Sequence, residues 1–120
     1  VDVLITIPKK VKWETWLKEC EAVAKDPGAT LNYRVARMPK GITSGKTKCF
    51  VVHDGFIRGY HVIYDAIWRD DFICQTTGTE WKAGYYLIRK GCFYPIEPIP
   101  HRGFQGWRYF SGDKVIRKGD

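Results

Sequence analysis

The chain has 120 residues, 44% of them apolar and 15% aromatic, enough for one buried core and too few for two. Its formal charge is +7, and it contains no apolar run of about 18 residues, which excludes a helical membrane span and leads us to expect one soluble, cytoplasmic domain over residues 1–120. The charge is divided along the chain: residues 31–60 carry six basic side chains against Asp54 alone and residues 82–118 carry eight against Glu97 and Asp113, while residues 61–81 between them are net acidic. Two basic segments around an acidic one fit a positive surface for an anionic partner, and they fit equally a basic protein kept soluble by its charge.

The opening run Val3, Leu4, Ile5, Thr6, Ile7 has the period and β-branching of a strand, and Pro8 stops it. Val1 to Pro8 is too short for the apolar core of a secretory signal, although the absence of an initiator Met leaves a trimmed leader open. From Trp13 the apolar positions Trp13, Trp16, Leu17, Cys20, Val23 and Ala24 follow the spacing of one helical face, with Glu14, Lys18, Glu19, Glu21 and Lys25 opposite. Pro27 and Gly28 supply the stop, so an amphipathic helix is expected over residues 13–25, its tryptophans in the core against a sheet.

Beyond residue 31 short apolar runs broken by glycine and proline indicate a compact, mostly antiparallel sheet. Leu31 to Arg37 alternates as a strand, and Met38 to Thr47 reads as a loop. Cys49–His53 and Phe56–Ile67 form a hairpin around the turn signal Asp54-Gly55, with Gly59 marking a bulge or a close backbone approach. Short strands are expected at Phe72–Gln75, Trp81–Ile88 and Trp107–Phe110, with Thr76 to Thr79 a turn and Lys90-Gly91 ending the second of them. Pro95 and Pro98 confine Cys92–Ile99 to an edge, and the polar tail after Ser111 is expected to fray.

Four cysteines, 29, 25 and 18 residues apart, lack the close pairs of zinc and redox sites, so they read as reduced thiols packed as small hydrophobes. His53, His61 and His101 have no metal spacing; only a register that sets His53 beside His61 would let those two share a metal or a proton. Gly41 to Thr47 mimics a phosphate loop, but Gly-x-x-x-Gly-Lys-Thr is one residue short of the nucleotide-binding motif and precedes a strand. No metal or cofactor is expected.

The run from Gly45 through Phe50-Val51-Val52 and Asp54-Gly55 to Arg58-Gly59-Tyr60 resembles the central hairpin of PUA-like domains, especially their ASCH and EVE branches. Thr77-Gly78-Thr79-Glu80-Trp81, Tyr86-Leu87-Ile88-Arg89 and Phe104 to Phe110 look like an uncharacterised bacterial subgroup of such proteins. The resemblance covers about residues 31–110 and implies an α+β pseudo-barrel with RNA or modified nucleobases as ligands. Its EVE branch and the related YTH domains hold a base between aromatic walls, for which Trp81 and Trp107 are the candidates here.

Single-stranded nucleic acid asks for cations that track phosphates and flat rings on which bases stack. Arg34, Arg37, Lys40, Arg58, Arg89, Arg102 and Arg108 are the candidate cations, with Trp81, Phe104 and Trp107 to stack and Gln105 to read a base edge. The competing role for those rings is burial. Two further readings stay open: an ASCH-like amidohydrolase acting on a nucleoside amide through Lys46, Thr47 and Glu80, and a protein-interaction module that dimerises through exposed aromatics.

Overall fold

The computed structural model describes residues 2–73, 78–112 and 115–118. Its elements are β1 (Asp2–Thr6), α1 (Trp13–Lys25), β2 (Leu31–Val35), β3 (Lys48–His53), β4 (Phe56–Arg69), β5 (Phe72–Ile73), β6 (Glu80–Trp81), β7 (Gly84–Pro100) and β8 (Trp107–Phe110). Six strands form one sheet in the order β2-β7-β4-β3-β1-β8, and β5 and β6 make a separate two-stranded sheet. All pairings in the large sheet are antiparallel except β1 with β3. The α+β, mostly antiparallel class follows the patterning, whereas the parallel pair has no local sequence signal.

Helix α1 occupies residues 13–25 as its periodicity predicts and buries Trp16, Cys20 and Val23. Each large side chain so buried stabilises the fold by roughly 1.5–3 kcal/mol. These residues join Val3, Ile5, Cys49, Val51, Ile63, Leu87 and Trp107 in one core cluster. Alternate residues of the same strands, among them Leu4, Phe50, Val52, Ile57 and Tyr60, form a second cluster with Ile96 that Phe104, Phe110 and Val115 help to close. Trp13 is only half-buried, stacked on Trp16 and on His53 at ring separations of 4.9 and 5.2 Å.

The β3–β4 hairpin turns at Asp54 and Gly55, both at positive φ (49° and 82°), the geometry that an Asp-Gly pair favours. Gly59 fulfils both expectations held for it. The ladder slips beside it, and the Phe93 ring and the Tyr94 carbonyl lie where its Cβ would be.

Several elements differ from expectation, and the reasons are tertiary. Trp81–Ile88 is not one strand: Glu80–Trp81 pairs with β5, and β7 starts at Gly84. Lys90-Gly91 does not end that strand, because β7 runs on to Pro100 along β4. Pro95 and Pro98 are tolerated because β2 pairs only with residues 85–89, so the proline half of β7 has a ladder strand on one side alone. The C-terminal segment takes the other side: Glu97 N–H donates to the Ile116 carbonyl and Lys118 N–H to that of Pro95, each at 2.9 Å. Its described residues are thus docked, not frayed. Cys74, Gln75, Thr76 and Thr77 lie outside the described residues. Among the described residues no helix is long and apolar enough to cross a membrane.

Candidate nucleic-acid interface

The loop between β2 and β3, residues 36–47, is tied down at both ends. On the β8 side, Trp107 Nε1 donates to the Arg37 carbonyl at 2.8 Å and the Lys40 amide donates to Tyr109 Oη at 2.9 Å. On the β4 side, Gly45 N–H donates to the Ile63 carbonyl at 2.9 Å and the Ser44 hydroxyl donates to that of Tyr64. Thr47, although buried, spends its hydroxyl internally by accepting the Thr43 N–H at 2.8 Å. A twelve-residue loop with this many anchors presents its cations at defined positions rather than on a flexible tether.

Arg37 places its guanidinium 4.3 Å over the Trp107 ring, and Tyr109 meets the same ring edge-on at 4.7 Å. Where β2 ends, Val35 lies opposite Tyr85 of β7, and Tyr85 lies opposite Trp68 of β4 with their rings in a T-shaped pair at 5.1 Å. Four rings around the loop face solvent: Trp68 is 55% exposed, Tyr64 54%, Tyr109 49% and Tyr85 40%. Arg37, Lys40 and Lys46 of the loop are exposed, and none forms an ion pair among the described residues. Cations without acidic partners next to exposed π-faces are able to hold phosphates while bases stack.

Of the residues singled out in the sequence, this surface unites Arg37, Lys40 and Trp107. Trp107 is only 5% exposed, so it supports the surface from below; its expected role as a stacking platform is corrected. Trp81 is remote from it in role, paired with Phe72 in the small β5–β6 sheet and packed against Tyr86. Arg34 donates to the Ala83 carbonyl and borders a depression with Asp71, Glu80 and Lys82, where acids offset its charge. Arg108 and Phe104 belong to the second cluster's face, the guanidinium 4.5 Å over the ring, with Arg108 opposite Leu4. Arg102 and Gln105 are exposed in the segment before β8. Arg58 donates to the His53 carbonyl at 2.9 Å and lies near Trp13, beside α1.

Arg89 is the clearest correction. It is 3% exposed, inside the core, and offers no surface cation. The register sets His61 opposite Cys49 and His53 opposite Phe56, so the two histidines are not side by side. His53 Nε2 instead lies 2.8 Å from the Val11 carbonyl, and His101 Nδ1 lies 2.8 Å from that of Arg102. Among the described residues no group of three or more His, Cys, Asp or Glu side chains is arranged to hold a metal. The amidohydrolase assignment finds no shared site: Lys46 is exposed, Thr47 is committed to its loop, and Glu80 sits on the separate small sheet. Cys20 and Cys49 are buried thiols as expected, whereas Cys92 is exposed.

Comparisons with protein-family models, with curated proteins and with solved structures gave no match. The surface therefore rests on its own chemistry. Tyr64, Trp68 and Tyr85 were missed because strand patterning does not tell which part of a sheet a helix covers. At 1.5 Å per residue, the 13 residues of α1 span about 20 Å. At about 3.3 Å per residue, the 14 residues of β4 follow a contour of about 46 Å. Rings at the far end of β4 stay in solvent.

Proposed function

We propose that this chain is a PUA-like domain that binds single-stranded nucleic acid, RNA foremost, through the residue 36–47 loop and the rings around it. One observation carries the reading: Arg37, Lys40 and Lys46 lack acidic partners, and four aromatic rings around their loop are each 40–55% exposed. Phosphates would be held by the three cations and bases by Trp68, Tyr85, Tyr64 and Tyr109. A pseudo-barrel closure agrees with the same region, since Tyr33 of β2 donates to the Gly106 carbonyl ahead of β8 at 3.3 Å although the two strands are at opposite ends of the sheet order.

Fluorescence anisotropy with labelled single-stranded RNA and DNA, titrated with salt, tests the proposal. Three phosphate contacts predict a log–log slope of about −2 for a single strand. Absence of binding at low salt overturns it.

A further inference from the structure

An arginine side chain keeps its charge at any pH a protein meets, so a buried one needs a counter-charge or a full set of acceptors. Arg89 lies on β7 between Leu31 of β2 and Ile63 of β4, both core residues. Its Nε and Nη1 are buried with no hydrogen-bond partner. Two residues from Ile63 on β4, His61 is fully buried, and neither ring nitrogen has a partner. The edges of Trp16 and Phe93 enclose it, at ring separations of 5.7 and 5.2 Å.

The ionisable groups that feel the Arg89 charge supply no anion. Burial pushes the Cys20 thiol up to about 12 and the Cys49 thiol up to about 11, and it raises the Tyr33 phenol, so all three stay protonated. Burial, helped by the neighbouring guanidinium, lowers His61 to about 3 and keeps it neutral, with one N–H to donate and one lone pair to accept. Four polar atoms of two side chains are left without partners beside an apolar core cluster. Each such atom destabilises the fold while it is left unsatisfied.

A groove of about 540 Å³ lies between α1 and β7, and Trp13, Leu17, Cys20, Phe93, Arg58 and Lys118 are among its lining residues. Two of these connect it to the interior: the Phe93 ring touches the His61 ring, and Trp13 stacks on Trp16, whose ring also meets His61. The polar pair thus sits one side-chain layer behind the groove. Its volume is in the range of small-molecule sites, its walls are mostly apolar, and Arg58 and Lys118 outnumber Glu21 among its charged lining residues.

We propose that this chain carries a small-molecule site beneath α1, in which a ligand whose apolar body fills the α1–β7 groove displaces the Phe93 ring that separates the two and brings its carboxylate or phosphate group to Arg89 and His61. A guanidinium fork matches either oxyanion through paired N–H donors, and the neutral imidazole adds a third. The site does not depend on the nucleic-acid reading, because it uses none of the loop residues.

Thermal melting of the full chain with benzoate, inorganic phosphate or adenosine monophosphate tests the proposal, with titration calorimetry to establish saturation. At least one probe is expected to raise the midpoint saturably, by roughly 5 °C or more near a hundredfold excess over Kd. Benzoate alone would identify a carboxylate site, and the monophosphate or phosphate a phosphate site. Arg89→Met is expected to abolish that response, to melt no lower than the native chain without probe, and to leave RNA binding unchanged. Arg89→Lys, which keeps the charge but not the fork, should weaken the response. The NMR signals of the His61 ring in the native chain should move with the same probe, a readout that needs no variant. Failure of all three probes to shift the melting point, an unmoved His61 signal, or a full response in Arg89→Met overturns the proposal.

Discussion

The loop over β8 and the interior beneath α1 both set an arginine among aromatic and heterocyclic rings, and access to water separates what each can do. Arg37 rests on Trp107 with its charge in solvent, where an ion–ring contact contributes about 0.5–1 kcal/mol and leaves the cation available to a polyanion. Arg89 has lost its water and found no anion, so it stays costly until a ligand supplies one. In the two proposals the same residue type serves low-cost, salt-sensitive binding at one place and a high-stakes recognition site at the other.

Three experiments break or sharpen that contrast beyond the tests above. The largest effect is expected from Trp107→Ala, which removes the buried ring under Arg37 and its hydrogen bond to the Arg37 carbonyl. Urea denaturation should show a loss of about 3–5 kcal/mol; a loss below about 1 kcal/mol would mean that the ring is not part of the core.

The interior should impose a pH dependence that the loop surface does not. The folded-state pKa of His61 is lowered to about 3 by burial, with the Arg89 charge as the second cause, while the unfolded chain titrates near 6.5. The unfolded state then binds the extra proton between those values, so stability from neutral His61 is present above pH 6.5 and is lost as pH falls toward 3. The contribution is on the order of a few kcal/mol. Urea melts at pH 7, 5 and 4 should show a steeper decline for the native chain than for His61→Phe, and equal slopes would refute the assignment.

The smallest effects on stability belong to the exposed rings. Trp68→Ala and Tyr85→Ala should each weaken single-stranded RNA binding roughly tenfold, the usual contribution of one stacked base, with less than about 1 kcal/mol change in stability. Arg37→Ala should reduce the salt slope by about 0.7 while the remaining contacts persist. Anisotropy measured across salt concentrations separates the stacking variants from the charge variant.

Much of the fold was legible in the sequence. The 3.6-residue period placed α1, the Asp54-Gly55 pair placed the hairpin, and Gly59 announced a close approach that the Phe93 ring fills. Less of the site was legible. Arg89 reads locally as one more basic residue in a basic segment, and only its pairing with Leu31 and Ile63 buries it. Trp68 and Tyr85 read as ordinary strand aromatics, and only the short reach of α1 leaves them in solvent.

The sequence by itself determined the helix, the hairpin, the α+β class and the two basic segments, because periodicity, turn chemistry and charge are local properties. The tertiary structure decided that β1 runs parallel to β3, that the proline half of β7 lies along β4 with the C-terminal segment on its other side, and which cations face water. Those outcomes depend on strand partners distant in the chain, and burial of a side chain is set by what packs over it.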